Sequence, residues 1–300
     1  YGISKLLLVG DVHQLPATVL DQQSVESGFR KSHFSRIYQS YIDNKQREKL
    51  KVLTTQYRMH PEISYWPNKY FYQRQLKNYP CTEVHRKEIP LKHYMVISLS
   101  YDQELTQAQF EIYNKDEIQF VVGLIKQMLN CFDKHASFAI ITPYTQHTEE
   151  LAKTLRTDKL ERVAVHSIDS VQGKEFDVVV ISLARSNGAG FLDQPERINV
   201  ALTRAKQCLV LCENFISSKR KPVWSSLLAD AQQRTVYYEL DDHDPQSHKQ
   251  MRFIVVNNDS NTTIQLVSAQ RFSQLFLVSG VWCYDGKGRM LIEAIYHQFY

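Results

Sequence analysis

"FDVVVISLARSNGAGFLDQPERINVALTRAKQCLVLCE", residues 176–213, decides the fold. Asp177–Leu183 is an apolar run of strand length, Pro195–Ala205 reads as a helix, and Cys208–Cys212 is a second apolar strand. A strand rich in Val and Ile, with no alternation of polar residues, is buried on both faces. Strand, helix and strand in succession form one βαβ unit of a parallel sheet.

The pattern repeats outward in both directions. Ser137–Thr142 and Met95–Leu99 read as strands, as do Arg162–His166 and Val236–Leu240. Helical spacing recurs over Pro61–Tyr72, Glu149–Leu155 and Val223–Gln232. Asn114 is an N-cap with Glu117 as its capping-box partner, and Ile118, Val121, Val122 and Ile125 follow on one helical face. Nearer the start, Lys5–Val9 reads as a buried strand bounded by Gly10, Ser32–Ile42 as a helix and Val52–Gln56 as a strand; residues 73–94 read as irregular. The fold class is therefore α/β, a parallel sheet covered by helices on both faces. Ligands of such sheets sit beyond the carboxyl ends of the strands.

Composition is that of a globular protein: 300 residues, 43% hydrophobic, 23% charged, net charge +4. A mildly basic chain permits a nucleic-acid partner without demanding one. The five cysteines show no zinc or disulfide spacing, and Cys208 and Cys212 lie within an apolar strand as packed thiols. No apolar stretch has membrane-spanning length. The acidic cluster Asp241, Asp242 and Asp244 reads as a solvated linker rather than a metal site, and residues 241–300 carry no assignment.

Polar groups concentrate in a few segments at strand ends: "GDVHQLP" (Gly10–Pro16), "TTQYRMHPEI" (Thr54–Ile63), "ITPYTQH" (Ile141–His147), "SIDSVQGKEFDVVVIS" (Ser167–Ser182) and "RINVALTRAK" (Arg197–Lys206). Arg204 stands on a helix of small and apolar residues, where a guanidinium needs an anionic partner. Together with Arg58 it could bind a phosphoryl group, whose charge is spread over several oxygens. Taken singly, each arginine could instead form a structural ion pair. Gln14 could orient a water or bond a terminal phosphate, Tyr57 could stack on a base, and Gly173 with Glu175 offers an exposed turn and a ribose acceptor.

In order and spacing these segments resemble the later motifs of superfamily 1 helicases of the Upf-like group, most nearly the senataxin type. "QYRMHP" with "NVALTRA" is the most specific pair, and the resemblance runs over Ser4–Leu240. It implies a P-loop NTPase, RecA-like fold: residues 1–55 as the end of a first RecA-like domain and 56–240 as a nearly complete second one. It implies ATP and Mg²⁺ as cofactors, single-stranded RNA or DNA as partner, no membrane, and a nuclear setting. It assigns Gln14, Arg58 and Arg204 to catalysis, Arg204 as an arginine finger, and Tyr57, Gly173 and Glu175 to the nucleotide. It places Thr142, Pro143 and Tyr144, with Ser167, Asp169 and Ser170, on the nucleic acid or in its coupling to ATP. Val12 and Ala17 replace two prolines common in the family, and Val171 replaces an aromatic.

No G-x-x-x-x-G-K-[ST] phosphate loop occurs in the 300 residues. The resemblance implies that this loop and the Mg²⁺ ligands lie upstream of Tyr1. The expected whole is an ATP-dependent helicase, with these residues alone hydrolysing no ATP. The rival expectation is a non-enzymatic relative that binds nucleic acid or a partner protein.

Overall fold

The computed structural model describes residues 5–17, 19, 21–84, 91–99, 112–185, 194–214, 221–240, 252–258, 261–267 and 281–283. Its centre is a six-stranded parallel sheet. The strands are β3 (Tyr94–Leu99), β4 (Phe138–Thr142), β5 (Val163–Ser167), β6 (Phe176–Ser182), β7 (Ala205–Glu213) and β8 (Tyr237–Leu240), in the order β5-β4-β6-β7-β3-β8. Every pairing in it is parallel, with Ile140 opposite Val180 and Val180 opposite Val210 at its middle.

Side chains of a strand alternate between the two faces, and the core divides accordingly. On one face Ile97, Ile140, Val180 and Val210 pack with Val121 and Ile125 of α5 (Lys115–Met128) and Leu151 and Leu155 of α6 (Thr145–Thr157). On the other, Val96, Ile141, Val179 and Leu211 pack against α3 (Pro61–Tyr70), α7 (Pro195–Leu202) and α8 (Pro222–Gln233), through Ile63, Val200 and Leu227 among others. Each fully buried side chain of this kind stabilises by about 1.5–3 kcal/mol relative to exposure. The helices start where their capping residues dictate. Ser32 accepts from Ser35 N ahead of α2 (His33–Asp43), and prolines open α3, α7 and α8.

Several local readings are corrected. Lys5–Val9 forms no described strand, and Leu6, Leu7 and Val9 are exposed. An apolar run becomes a strand only where a neighbour satisfies its backbone, and no described strand pairs with it. Val52–Gln56 shrinks to β1 (Thr55–Gln56), paired in parallel with β2 (Lys77–Asn78). That strand and α4 (Cys81–Val84) interrupt the stretch expected to be irregular. A short α1 (Gln22–Glu26) precedes α2, and Arg47–Lys49 is a 3₁₀ turn. Helix α7 ends at Leu202, so Arg204 lies on the turn entering β7 rather than on the helix. Its carbonyl already accepts from Phe176 N at 3.0 Å, as the sheet begins.

The expected capping box at α5 is half made. Asn114 Oδ1 accepts from Glu117 N at 2.9 Å. The Glu117 carboxylate turns inward, where Oε1 accepts from Ser182 Oγ at 2.5 Å and both oxygens meet Ala184 N at 3.1 Å. Beyond the main sheet, β9 (Arg252–Asn258) pairs antiparallel with β10 (Asn261–Val267) and with β11 (Val281–Cys283). The acidic cluster Asp241–Asp244 lies outside the described residues.

Candidate functional site

The turns that enter β6 and β7 bring four charged side chains together. Arg58 Nε donates to Glu175 Oε2 at 2.8 Å, and Lys206 Nζ reaches Glu175 Oε1 at 2.8 Å. These two cations, Lys206 first and Arg58 next, hold the Glu175 carboxyl below its ordinary value. Arg58 is positioned from behind by Gln56, whose Oε1 accepts from Arg58 N and Met59 N, and whose amide donates to Met59 O and Asn78 Oδ1.

Arg204 is the exception in this group. It is 2% exposed. Its guanidinium donates only to uncharged oxygens: Val200 O at 2.8 Å, Lys174 O at 3.2 Å and Thr203 Oγ1 at 2.9 Å. Among the described residues no carboxylate makes an ion pair with it. Burial, and then the neighbouring Arg58 charge, push its pKa down to about 10. A buried cation among neutral acceptors is expensive unless an anion arrives. The alternative of two structural ion pairs therefore holds for Arg58 and not for Arg204.

Around this pair stand the other predicted nucleotide residues. Gly173 has φ +82°, and a Cβ there would meet nothing within 4 Å. The left-handed backbone, rather than crowding, demands glycine and leaves an open surface. Tyr57 is 67% exposed and lies beside Tyr79, ring centroids 4.7 Å apart. Gln14 is held from its own loop, its Nε2 donating to Asp11 Oδ2 at 3.0 Å. Tyr72 Oη donates to that same Asp11 oxygen at 2.8 Å. Asn199, fully buried in α7, donates through Nδ2 to His13 O and to Tyr72 Oη, both at 2.8 Å. These contacts join "GDVHQLP" to the helix that leads to Arg204. The Asn199 Oδ1 has no partner among the described residues.

Glu175 and Arg204 precede β6 and β7, so this cluster sits at the amino ends of the central strands. Of the predicted residues, the other group stands at the carboxyl ends of the strands. Thr142 ends β4 and leads through Pro143 to Tyr144, the N-cap of α6; Ser167 ends β5 and is paired in register with Thr142. Ser170 closes a small turn on Ser167, with N donating to Oγ at 3.2 Å and Oγ to the carbonyl at 3.0 Å. Asp169 forms a two-pronged ion pair with Arg197 of α7, at 3.2 and 3.3 Å. The two groups flank opposite ends of β6 but are joined by the turns of residues 168–175, where Val171 N donates to Ser167 O at 3.1 Å and Lys174 N to Val171 O at 3.0 Å, so Ser170 is only three residues from Gly173.

Beneath the carboxyl edge lies a buried polar chain. Asn114 N donates to His147 Nδ1 at 3.4 Å, and His147 Nε2 lies 2.8 Å from Ser182 Oγ, which reaches Glu117. Burial pushes the Glu117 carboxyl up to about 7 and the His147 imidazole down to about 3. The acceptor role of Nδ1 fixes His147 as the Nε2–H tautomer. Serine stands between histidine and glutamate, and no member is accessible, so the group is a structural chain and not a nucleophile with its base.

Sequence reasoning missed Lys206, Tyr72, Asn199 and Asp11 as members of the cluster around Arg58 and Arg204. Each lies in or near a quoted segment, but only the fold shows which carboxylate Lys206 pairs with and that Tyr72 bridges two distant segments. His13 and His60, read as structural, make structural contacts: His60 Nδ1 accepts from Glu62 N at the start of α3, and His13 supplies its carbonyl to Asn199.

The chain has relatives among known proteins. The AAA domain family matches residues 29–215, more than half of the chain. The chain is 33% identical over 247 residues to probable helicase senataxin of Homo sapiens, covering 77% of this chain and 9% of that protein. It is 30% identical over 249 residues to helicase sen1 of Schizosaccharomyces pombe, covering 78% and 14%. It is also 30% identical over 253 residues to the regulator of nonsense transcripts 1 homolog of Drosophila melanogaster, covering 79% and 21%. The chain thus spans between about a tenth and a fifth of these relatives. With the parallel sheet, the helices on both its faces and the family match in agreement, the chain belongs to the AAA domain family of Upf-like superfamily 1 helicases.

Proposed function

We propose that this chain works as the second RecA-like lobe, with the end of the first, of an ATP-dependent helicase acting on single-stranded RNA or DNA. The observation that carries the reading is Arg204, buried beside Arg58 with only neutral acceptors around it. An anionic phosphate fits that charge imbalance, and residues of the chain suit the rest of a nucleotide. Tyr57 offers an aromatic face to the base, Glu175 an acceptor to the ribose, and Gln14 an amide to a water or terminal phosphate. Arg204 stabilises the charge that develops on the phosphoryl oxygens, an effect worth about 10³–10⁵ in rate for arginine fingers.

The 300 residues contain no phosphate loop, so on this reading they hydrolyse no ATP by themselves, and Mg²⁺ is held by residues outside them. Pro143 and Tyr144 grip the nucleic-acid backbone without reading sequence, while Thr142, fully buried at the end of β4, supports the turn that carries them. Ser167, Asp169 and Ser170 transmit that grip through the Asp169–Arg197 pair to α7. The proposed setting is the nucleus; no described helix is long and apolar enough to cross a membrane.

The test is ATP turnover by the full-length protein with and without single-stranded RNA or DNA, wild type against Arg204→Ala. The reading expects stimulated turnover in the wild type and its loss in the variant. Turnover without any dependence on Arg204 would overturn its catalytic role, and nucleic-acid binding with no turnover at all would favour the non-enzymatic relative.

A further inference from the structure

Gln14 and Arg204 lie 190 positions apart in the sequence, yet hydrogen bonds join them, with the covalent frame of Asn199 as one link between its carbonyl and its side-chain amide. Arg204 Nη2 donates to Thr203 Oγ1 at 2.9 Å. Thr203 Oγ1 donates to Asn199 O at 2.8 Å. Asn199 Nδ2 donates to Tyr72 Oη at 2.8 Å, and Tyr72 Oη to Asp11 Oδ2 at 2.8 Å. Gln14 Nε2 donates to that same oxygen at 3.0 Å. From Asn199 Nδ2 onward the donors point one way, through the Tyr72 hydroxyl to the Asp11 carboxylate, so those two bonds reinforce one another.

The series fixes an orientation as well as a position. Asp11 is an acceptor only and takes the Gln14 NH₂ group. The carbonyl oxygen of Gln14 is therefore the end left to face a ligand or a water. Tyr72 touches both segments through one hydroxyl, and Asn199 also reaches "GDVHQLP" through His13 O. The Tyr72 hydroxyl gives to "GDVHQLP" and receives from α7, and burial and the Asp11 charge keep it protonated. None of Asp11, Tyr72, Asn199 or Thr203 needs to touch the nucleotide for this to matter.

We propose that Tyr72 is a positioning residue: it links the orientation of the Gln14 amide to the placement of Arg204, so that both groups meet the reacting phosphate together. The proposal rests on the ATP reading given above. Its chemistry is geometric, because a misplacement of about 1 Å at a reacting group costs roughly 10²-fold in rate.

The experiment measures steady-state ATP turnover of the full-length protein for Tyr72→Phe, Gln14→Ala and the two together. Tyr72→Phe keeps the ring and removes one hydroxyl. The expected result is a kcat lower by roughly 10-fold to 100-fold, an unchanged KM for ATP and an unchanged thermal midpoint. The double variant is expected to be no slower than Gln14→Ala alone, because coupled groups are not additive. Should Tyr72→Phe fold poorly, Thr203→Val breaks the same series nearer Arg204 and carries the same expectation. Wild-type kcat in Tyr72→Phe, or losses that multiply in the double variant, would overturn the proposal. So would an unaffected Gln14→Ala protein, since there would be nothing to position. If Arg204→Ala also left turnover intact, the ATP reading itself would have failed, a separate and recognisable outcome.

Discussion

Arg58 and Arg204 converge on a single residue, Thr203. Arg58 Nη1 donates to its carbonyl oxygen at 3.0 Å, and Arg204 Nη2 donates to its hydroxyl at 2.9 Å. The two like charges are held side by side by neutral oxygens, while Glu175 takes Arg58 and Lys206 but makes no ion pair with Arg204. Such a pair is unfavourable by itself and becomes favourable when an anion enters.

Removal of the Glu175 carboxylate separates binding from folding. Glu175→Gln loses two ion pairs that are partly exposed, with the glutamate side chain 42% accessible. Exposed pairs are worth about 0–1 kcal/mol, so the urea midpoint is expected to shift little. The KM for ATP is expected to rise several-fold in the full-length protein. A large loss of stability with unchanged KM would make Glu175 a structural residue only.

Two buried groups of the carboxyl edge give opposite pH dependences. Glu117 is raised from 4.5 to about 7. Stability linked to it is complete below pH 4.5 and is lost as pH rises through about 7. His147 is lowered from 6.5 to about 3. Its contribution is complete above pH 6.5 and is lost as pH falls toward 3. Between pH 4.5 and 6.5 the two slopes oppose each other. Glu117→Gln removes one of them, so the stability of the variant relative to wild type is expected to climb as pH rises from 4.5 to 7, read from urea midpoints. A flat difference would contradict the assignment.

Tyr144 and Thr142 should behave differently although they are near neighbours. Tyr144→Ala is expected to weaken binding of single-stranded RNA or DNA by the full-length protein, measured by fluorescence anisotropy. The loss should be similar across sequences, as contacts to the backbone require. Thr142 is fully buried, and its Oγ1 has no partner among the described residues. Thr142→Val is therefore expected to be neutral or slightly stabilising, since it removes an unsatisfied hydroxyl. If instead Thr142→Val weakens binding as much as Tyr144→Ala, the hydroxyl itself meets the nucleic acid.

The middle of the fold was legible because its signals are redundant. Phe176–Ser182 and Ala205–Glu213 are apolar on both faces, so burial between two helical layers is their only stable environment. The same argument misled at Lys5–Val9, which is equally apolar but has no described strand beside it. At Asn114 the sequence correctly located the start of α5. Local spacing, however, says nothing of Ser182 and Ala184, which draw the Glu117 carboxylate away from its own helix. The site divides in the same manner. Arg204 stood out as a charge among small and apolar residues, and Arg58 and Glu175 were singled out by the motifs that hold them. Tyr72 and Asn199 did not, because their importance comes from meeting each other across 127 positions of sequence.

The most direct test of the central claim is the rate of ATP hydrolysis in a single turnover by the full-length protein, wild type against Arg204→Lys, with single-stranded nucleic acid present. Lysine keeps the charge but not the planar fork that can stay bonded to its neutral neighbours while meeting a phosphate. The account predicts that Arg204→Lys binds ATP within a few-fold of wild type and hydrolyses it at least about 100-fold more slowly, within the range of arginine fingers. Hydrolysis by Arg204→Lys at the wild-type rate would contradict it.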